Sequence, residues 1–165
     1  MMINSKYTFR PLTIADQELI SDQRDAIFRE MGMDPVDISA ARTCYMPWLQ
    51  EFIENGNYKG YAIVEKSTQK CIGGGAIWIG LGGPLPMVPS SDLRRATVTN
   101  IFIEQDHRRQ GLARCLVEKL IAVAKEDGYQ VLELQSSDAG RHLYESLGFN
   151  DIHEYRMVLS ENIKR

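Results

Sequence analysis

Residues Ile101 to Ala113 read Ile-Phe-Ile-Glu-Gln-Asp-His-Arg-Arg-Gln-Gly-Leu-Ala, and they constrain this chain more than any other stretch. The β-forming run Thr97 to Ile103 meets a polar turn, and the turn meets the strongest helical pattern in the sequence. That helix is expected from Gly111 to Asp127, with Leu112, Leu116, Leu120, Val123 and Ala124 on one face and Gly128 as its stop. Gly111 and Ala113 are small, so a ligand can approach the backbone closely. A helix start has N–H groups without intrahelical partners and a partial positive charge. The combination predicts a seat for a phosphate or pyrophosphate.

The chain has 165 residues, which predicts one domain with a real core. Its net charge of −3 argues against a general nucleic-acid or membrane-surface binder. Cys44, Cys71 and Cys115 are odd in number and far apart, which argues against a disulfide framework or a cysteine zinc site. A reducing cytoplasm is the expected compartment. Met1 to Lys6 holds no apolar run resembling a signal peptide, and no stretch reaches the roughly 18 apolar residues of a membrane span.

Tyr7 to Pro11 reads as a first strand. Thr13 and Asp16 have capping-box spacing before a helix whose stripe is Ile20, Ile27, Phe28 and Met31, ending at Gly32. A second helix is predicted from about Asp37 to Asn55-Gly56, with Ile38, Ala41, Tyr45, Trp48, Leu49, Phe52 and Ile53 at helical spacing. Tyr58 to Glu65 and Cys71 to Leu81 read as a hairpin. Gly82 to Ser91 contains three prolines and reads as a loop. Val131 to Leu134 is a short strand, Gly140 to Leu147 a short helix before Gly148, and Asn150 to Leu159 one or two last strands. The order β-α-α-β-β-β-α-β-α-β predicts a single α/β or α+β domain.

No P-loop sequence is present, and Gly73-Gly74-Gly75 fails the dinucleotide pattern because Trp78 stands at the third glycine position. The glycine run instead predicts a bulge or a close backbone approach. Arg108-x-x-Gly111-x-Ala113, between a strand and a long helix, resembles the acetyl-CoA signature of the GCN5-related N-acetyltransferase (GNAT) superfamily. Tyr144-Glu145-Ser146-Leu147-Gly148-Phe149 resembles the same family's later Y-E-x-x-G-F segment. Thr99 to Ile103, with Gly140 to Tyr144, resembles a subgroup of small bacterial members.

The resemblance implies one N-acetyltransferase domain over residues 1–165. Its fold would be a mixed, mostly antiparallel sheet of about six or seven strands, flanked by about four helices and splayed between strands four and five. It puts the amides of Gln110, Gly111, Leu112 and Ala113 on the CoA pyrophosphate, with Arg108 and Arg109 as added charge. It puts the main chain of Ile101, Phe102 and Ile103 against the pantetheine arm, like an added strand. Tyr144 would be the general acid toward the departing thiolate. Ser137 stands where many members carry an asparagine that contacts CoA.

Some members carry a glutamate base six residues before Ile103, and here that residue is Thr97. A water chain, another carboxylate such as Asp92, Glu104 or Asp138, or a low-pKa amine would then have to serve. His107 and His142 form no metal-spaced pair, so no metal is expected. Arg24, Met31, Trp48 and the Gly82 to Ser91 loop map to the acceptor side. The implied reaction is transfer of acetyl from acetyl-CoA, as co-substrate, to a primary amine of a small molecule. Two alternatives stay open: a CoA-binding sensor without turnover, and an enzyme acting on a protein N-terminus or lysine. No nucleic-acid or membrane partner is expected, and a homodimer is left open.

Overall fold

The computed structural model describes residues 3–80 and 94–152. It forms two compact units, Met1–Gln135 and Ser136–Arg165. The first holds one sheet in the order β1 (Tyr7–Pro11), β2 (Tyr58–Glu65), β3 (Cys71–Gly80), β4 (Arg95–Ile103) and β5 (Val131–Leu134). The first four strands pair antiparallel and β5 joins β4 in parallel. Parallel neighbours need a crossover, which the helix α3 (Leu112–Glu126) supplies. The sheet therefore has five strands among the described residues, fewer than the six or seven expected. Of the segment expected to add the rest, residues 153–159 lie outside the described residues, as does the loop Gly82 to Ser91.

The first unit also contains α1 (Gln17–Glu30) and α2 (Pro35–Glu54). Asp16 accepts the backbone N–H of Thr13 at 2.8 Å, as the capping-box spacing predicts, and also pairs with Arg10 at 2.6 Å. The α2 helix starts two residues earlier than expected. Asp34 accepts the N–H of Val36 at 2.8 Å, and Pro35 occupies the first turn, where its missing N–H costs nothing.

The stripe predicted for α1 is only partly right. Ile20 is buried, but Met31 is 59% exposed, and Ser21, Gln23 and Asp25 are buried instead. These polar side chains go inside because partners wait there. Ser21 donates to the Met46 sulfur, Gln23 reaches the Cys71 sulfur at 3.6 Å, and Asp25 pairs with Arg42 of α2 at 2.6 Å. In α3 the predicted face holds: Leu112, Leu116, Leu120 and Ala124 are all buried.

Cross-strand register puts Tyr58, Trp78, Thr97 and Glu133 in one row across the sheet. Direct partners share a face, and Trp48 and Phe52 of α2 pack against Trp78 on this one. On the opposite face, a Cβ at Gly75 would collide with Ile101 Cδ1 and crowd Leu116 of α3. The glycine run thus marks a close approach, as expected. It also faces an irregularity: Gly74 pairs with Phe102 but Ala76 with Thr99, so β4 carries one extra residue. Asn100 sits in that bulge with φ +55°, a left-handed conformation that asparagine tolerates better than most residues.

The second unit contains α4 (Asp138–Glu145), which begins two residues before the predicted Gly140. Its end is closed by the N–H of Phe149 on the carbonyl of Tyr144 at 3.1 Å, with Gly148 at φ +93°.

Candidate active site

Strand β5 pairs with β4 only from Arg95 to Val98. The remainder of β4, Thr99 to Ile103, has no β5 partner. The direction of its main-chain groups follows from one bond. Glu104 N–H points into the sheet and donates to Ile72 of β3 at 2.8 Å. The carbonyl of Ile103 shares that trans peptide plane, so it points the other way, off the β4 edge. Side chains of this segment serve packing: Ile103 is buried, and Ile101 packs against Gly75 and Leu116.

The turn after β4 leads straight to α3. Gly111 is the N-cap, at φ +77°, with no side-chain cap bond. The first intrahelical bond runs from the N–H of Cys115 to the carbonyl of Gly111 at 3.1 Å. The N–H groups of the turn before it therefore have no intrahelical acceptor, which is the condition for an anion seat. Arg109 also has positive φ, +62°, and it makes no ion pair among the described residues. Leu112 contributes only main chain, because its side chain is buried.

Two side chains tie this turn to other elements. Tyr7 of β1, itself buried, bonds through its hydroxyl to His107 Nδ1 at 3.0 Å and to Gln110 Oε1 at 3.1 Å. Arg108 donates from Nε to the Ile103 carbonyl at 2.8 Å and from its terminal nitrogen to Glu30 at 2.6 Å. Arg108 is thus committed to the end of β4 and to α1, leaving Arg109 as the cation of the pair without an ion-pair partner among the described residues.

A polar cluster lies against the β4 bulge, on the face covered by α2. Asn100 Nδ2 donates to the hydroxyl of Tyr45 at 2.9 Å and to that of Tyr58 at 3.2 Å. Burial pushes the pKa of both phenols above the usual tyrosine value, so both stay neutral through the physiological range. The guanidinium of Arg24 lies over the rings of both Phe28 and Tyr45. Trp48 stacks on Phe52 at 4.2 Å and closes the apolar side.

Thr97 faces Glu133 across β4 and β5, and Glu133 pairs with Arg95 at 2.6 Å. Of the three acids considered from sequence, Glu104 is engaged by Lys70 at 2.8 Å. Asp138 is fully exposed on α4, and Asp92 lies outside the described residues. In the second unit, Ser137 is the N-cap of α4 without a side-chain cap bond. Tyr144 is half-buried and packs edge-on against Phe149 at 5.9 Å. Burial raises its pKa, keeping the phenol protonated as an acid requires.

A family model described as the acetyltransferase (GNAT) family matches residues 25–149. The chain belongs to the GNAT family. A crystal structure of a GCN5-related N-acetyltransferase from Ralstonia eutropha superimposes with a TM-score of 0.87 at 27% identity, covering 93% of this chain and 98% of that one. A predicted acetyltransferase from Clostridium acetobutylicum, solved with acetyl-CoA, superimposes with a TM-score of 0.80 at 22% identity, covering 92% and 95%. Among curated relatives, the [ribosomal protein bS18]-alanine N-acetyltransferase of Escherichia coli K12 is 45% identical over 62 residues. That match spans 36% of this chain and 42% of the relative's length. Human N-acetyltransferase 8 is 32% identical over 75 residues, 43% of this chain and 33% of that protein.

Within this GNAT chain the residues that sequence reasoning passed over are Tyr7, Tyr45, Tyr58 and Asn100. Asn100 had a visible signal, a lone amide inside a run of β formers. Tyr7 had none, because its partners are 100 and 103 residues away.

Proposed function

We propose that this protein is an N-acetyltransferase, one domain over residues 1–165, moving the acetyl group of acetyl-CoA to the primary amine of a small molecule. The observation that carries the reading is the Gly111-capped start of α3 soon after a β4 edge that β5 leaves unpaired from Thr99 onward. An elongated ligand with an anionic end fits that pair: amide groups along its length extend the β4 ladder, and phosphates meet the helix start. The main chain of Ile101 to Ile103 lines the first part. The amides of Gln110 to Ala113 hold the second, with Arg109 as added charge. Ser137 contributes a hydroxyl contact to the same ligand.

In the reaction the amine nitrogen attacks the thioester carbon. A β4 main-chain N–H polarises the carbonyl. The carbon–sulfur bond breaks, Tyr144 gives its proton to the departing thiolate, and the amine's surplus proton leaves to water. The acetyl-CoA bound to the Clostridium neighbour and the family membership support this donor. The free, exposed thiol of Cys44 supports a reducing cytoplasm as the working compartment.

A second reading makes the acceptor a protein N-terminus, favoured by the identity to the bS18-alanine N-acetyltransferase. The test has two stages. Acetyl-CoA at saturation should raise the melting temperature, and no shift would sink the acetyltransferase reading. Thiol release across small amines and peptides ending in alanine then decides between acceptors.

A further inference from the structure

We propose that Arg24 and Tyr45 bind an anionic group of the acceptor, so that the substrates are small amines carrying a carboxylate or phosphate. This rests on the acetyltransferase reading above. The guanidinium carbon of Arg24 lies 4.5 Å from the Phe28 ring centroid and 4.2 Å from that of Tyr45. Both rings pack against the guanidinium, yet its Nη1 is buried and has no hydrogen-bond partner among the described residues. Arg24 also makes no ion pair among the described residues, whereas Arg42 pairs with Glu18, Asp22 and Asp25, and Arg95, whose Nε is likewise buried without a hydrogen-bond partner, still pairs with Glu133. Asp25, the acid beside Arg24 in sequence, spends one oxygen on Arg42 at 2.6 Å. Burial pulls the Arg24 pKa below the usual arginine value, although the charge of nearby Asp25 opposes that shift.

Tyr45 adds a second donor. Its oxygen accepts from Asn100 at 2.9 Å, which leaves the phenolic proton available. Guanidinium and phenol together offer donors, and Asp25, the negative charge felt by both, is held by Arg42 through one oxygen. A rigid, planar guanidinium matches carboxylate and phosphate oxygens in pairs. The location suits an acceptor. Asn100, bonded to Tyr45, directly precedes Ile101, where the polarised carbonyl is proposed to lie. One side chain, Tyr45, thus touches both Arg24 and the residue before Ile101, which suits a short amino acid or phosphoamine.

The experiment uses the full chain and paired probes. One arm compares ω-amino acids of increasing length with their amides, and the other compares O-phosphoethanolamine with ethanolamine. Each ratio is read twice, as kcat/KM by thiol release from acetyl-CoA and as Kd by calorimetry in the presence of CoA. The charged member should win by about 10–100-fold in one arm, as for a charge-assisted bond, and that arm identifies the anion. Arg24→Met should bring the ratio near one, and Arg24→Lys should retain part of it. Both variants should keep the thermal shift with acetyl-CoA, which controls for folding. A ratio near one in both arms for the wild type overturns the inference alone, as does an Arg24→Met protein that keeps the preference. Loss of the acetyl-CoA shift in the wild type overturns the acetyltransferase reading itself.

Discussion

Arg108 donates from Nε to the main-chain carbonyl of Ile103 at 2.8 Å, on the edge of β4 turned away from β3. The same side chain reaches Glu30 at the end of α1 at 2.6 Å. The two bonds differ in value. A charged donor on a main-chain carbonyl is worth about 1.5–3 kcal/mol, whereas an exposed ion pair is worth about 0–1 kcal/mol. Arg108→Ala should therefore lower unfolding free energy by about 2 kcal/mol in urea titration. Glu30→Gln should lower it by less than about 1 kcal/mol. Equal losses would show that the ion pair, not the carbonyl bond, holds the end of β4.

Gly111 combines a left-handed backbone with the helix cap. An alanine there meets a strain of about 1–2 kcal/mol, and in the proposed donor site its Cβ would enter the path of an approaching phosphate. Gly111→Ala should lower the melting temperature of the free protein by several degrees and weaken acetyl-CoA binding by at least about tenfold. Calorimetric titration with acetyl-CoA reads the second effect. Unchanged affinity would remove the turn from the donor site.

Tyr144→Phe keeps the ring against Phe149 and removes only the hydroxyl. If the hydroxyl is the acid, kcat should fall about 10²–10⁴-fold while acetyl-CoA affinity holds. The sign of the pKa shift adds a second check. A raised pKa keeps the phenol protonated beyond its ordinary value, so the wild-type rate should show no loss of this acid below about pH 10. A variant with unchanged kcat would exclude Tyr144 from proton transfer.

Asn100 has two jobs that substitutions can separate. Its amide satisfies the hydroxyls of Tyr45 and Tyr58, and its backbone occupies φ +55° at the bulge. Asn100→Gly loses the amide but keeps the backbone comfortable, whereas Asn100→Ala loses both. Alanine should be the less stable of the two by about 1 kcal/mol in chemical denaturation. Equal stability would mean that the bulge imposes no strain.

Much of the fold was legible because local pattern and tertiary role agree. The bounds of β1, β2 and β5, the buried face of α3 and the stops at Gly32, Gly56 and Gly128 follow from periodicity and turn chemistry. The α1 face was misread at Met31 because Ser21, Gln23 and Asp25 are buried by partners on β3 and α2. Hydrophobic periodicity has no term for a polar residue whose partner is supplied by another element.

The same division runs through the candidate site. The sequence by itself determined the elements of the proposed donor seat, because a strand, a glycine-capped turn and a helix start are contiguous and their chemistry is local. Gly111 needs no distant residue to present free amides. Tertiary structure alone decided what surrounds it. Tyr7 braces the turn, Arg108 is drawn away to Ile103 and Glu30, and Asn100 joins Tyr45 and Tyr58 beside Arg24, whose Nη1 has no hydrogen-bond partner among the described residues. Those relationships join residues far apart along the chain, and sheet register and helix packing bring them together, which no local spacing encodes.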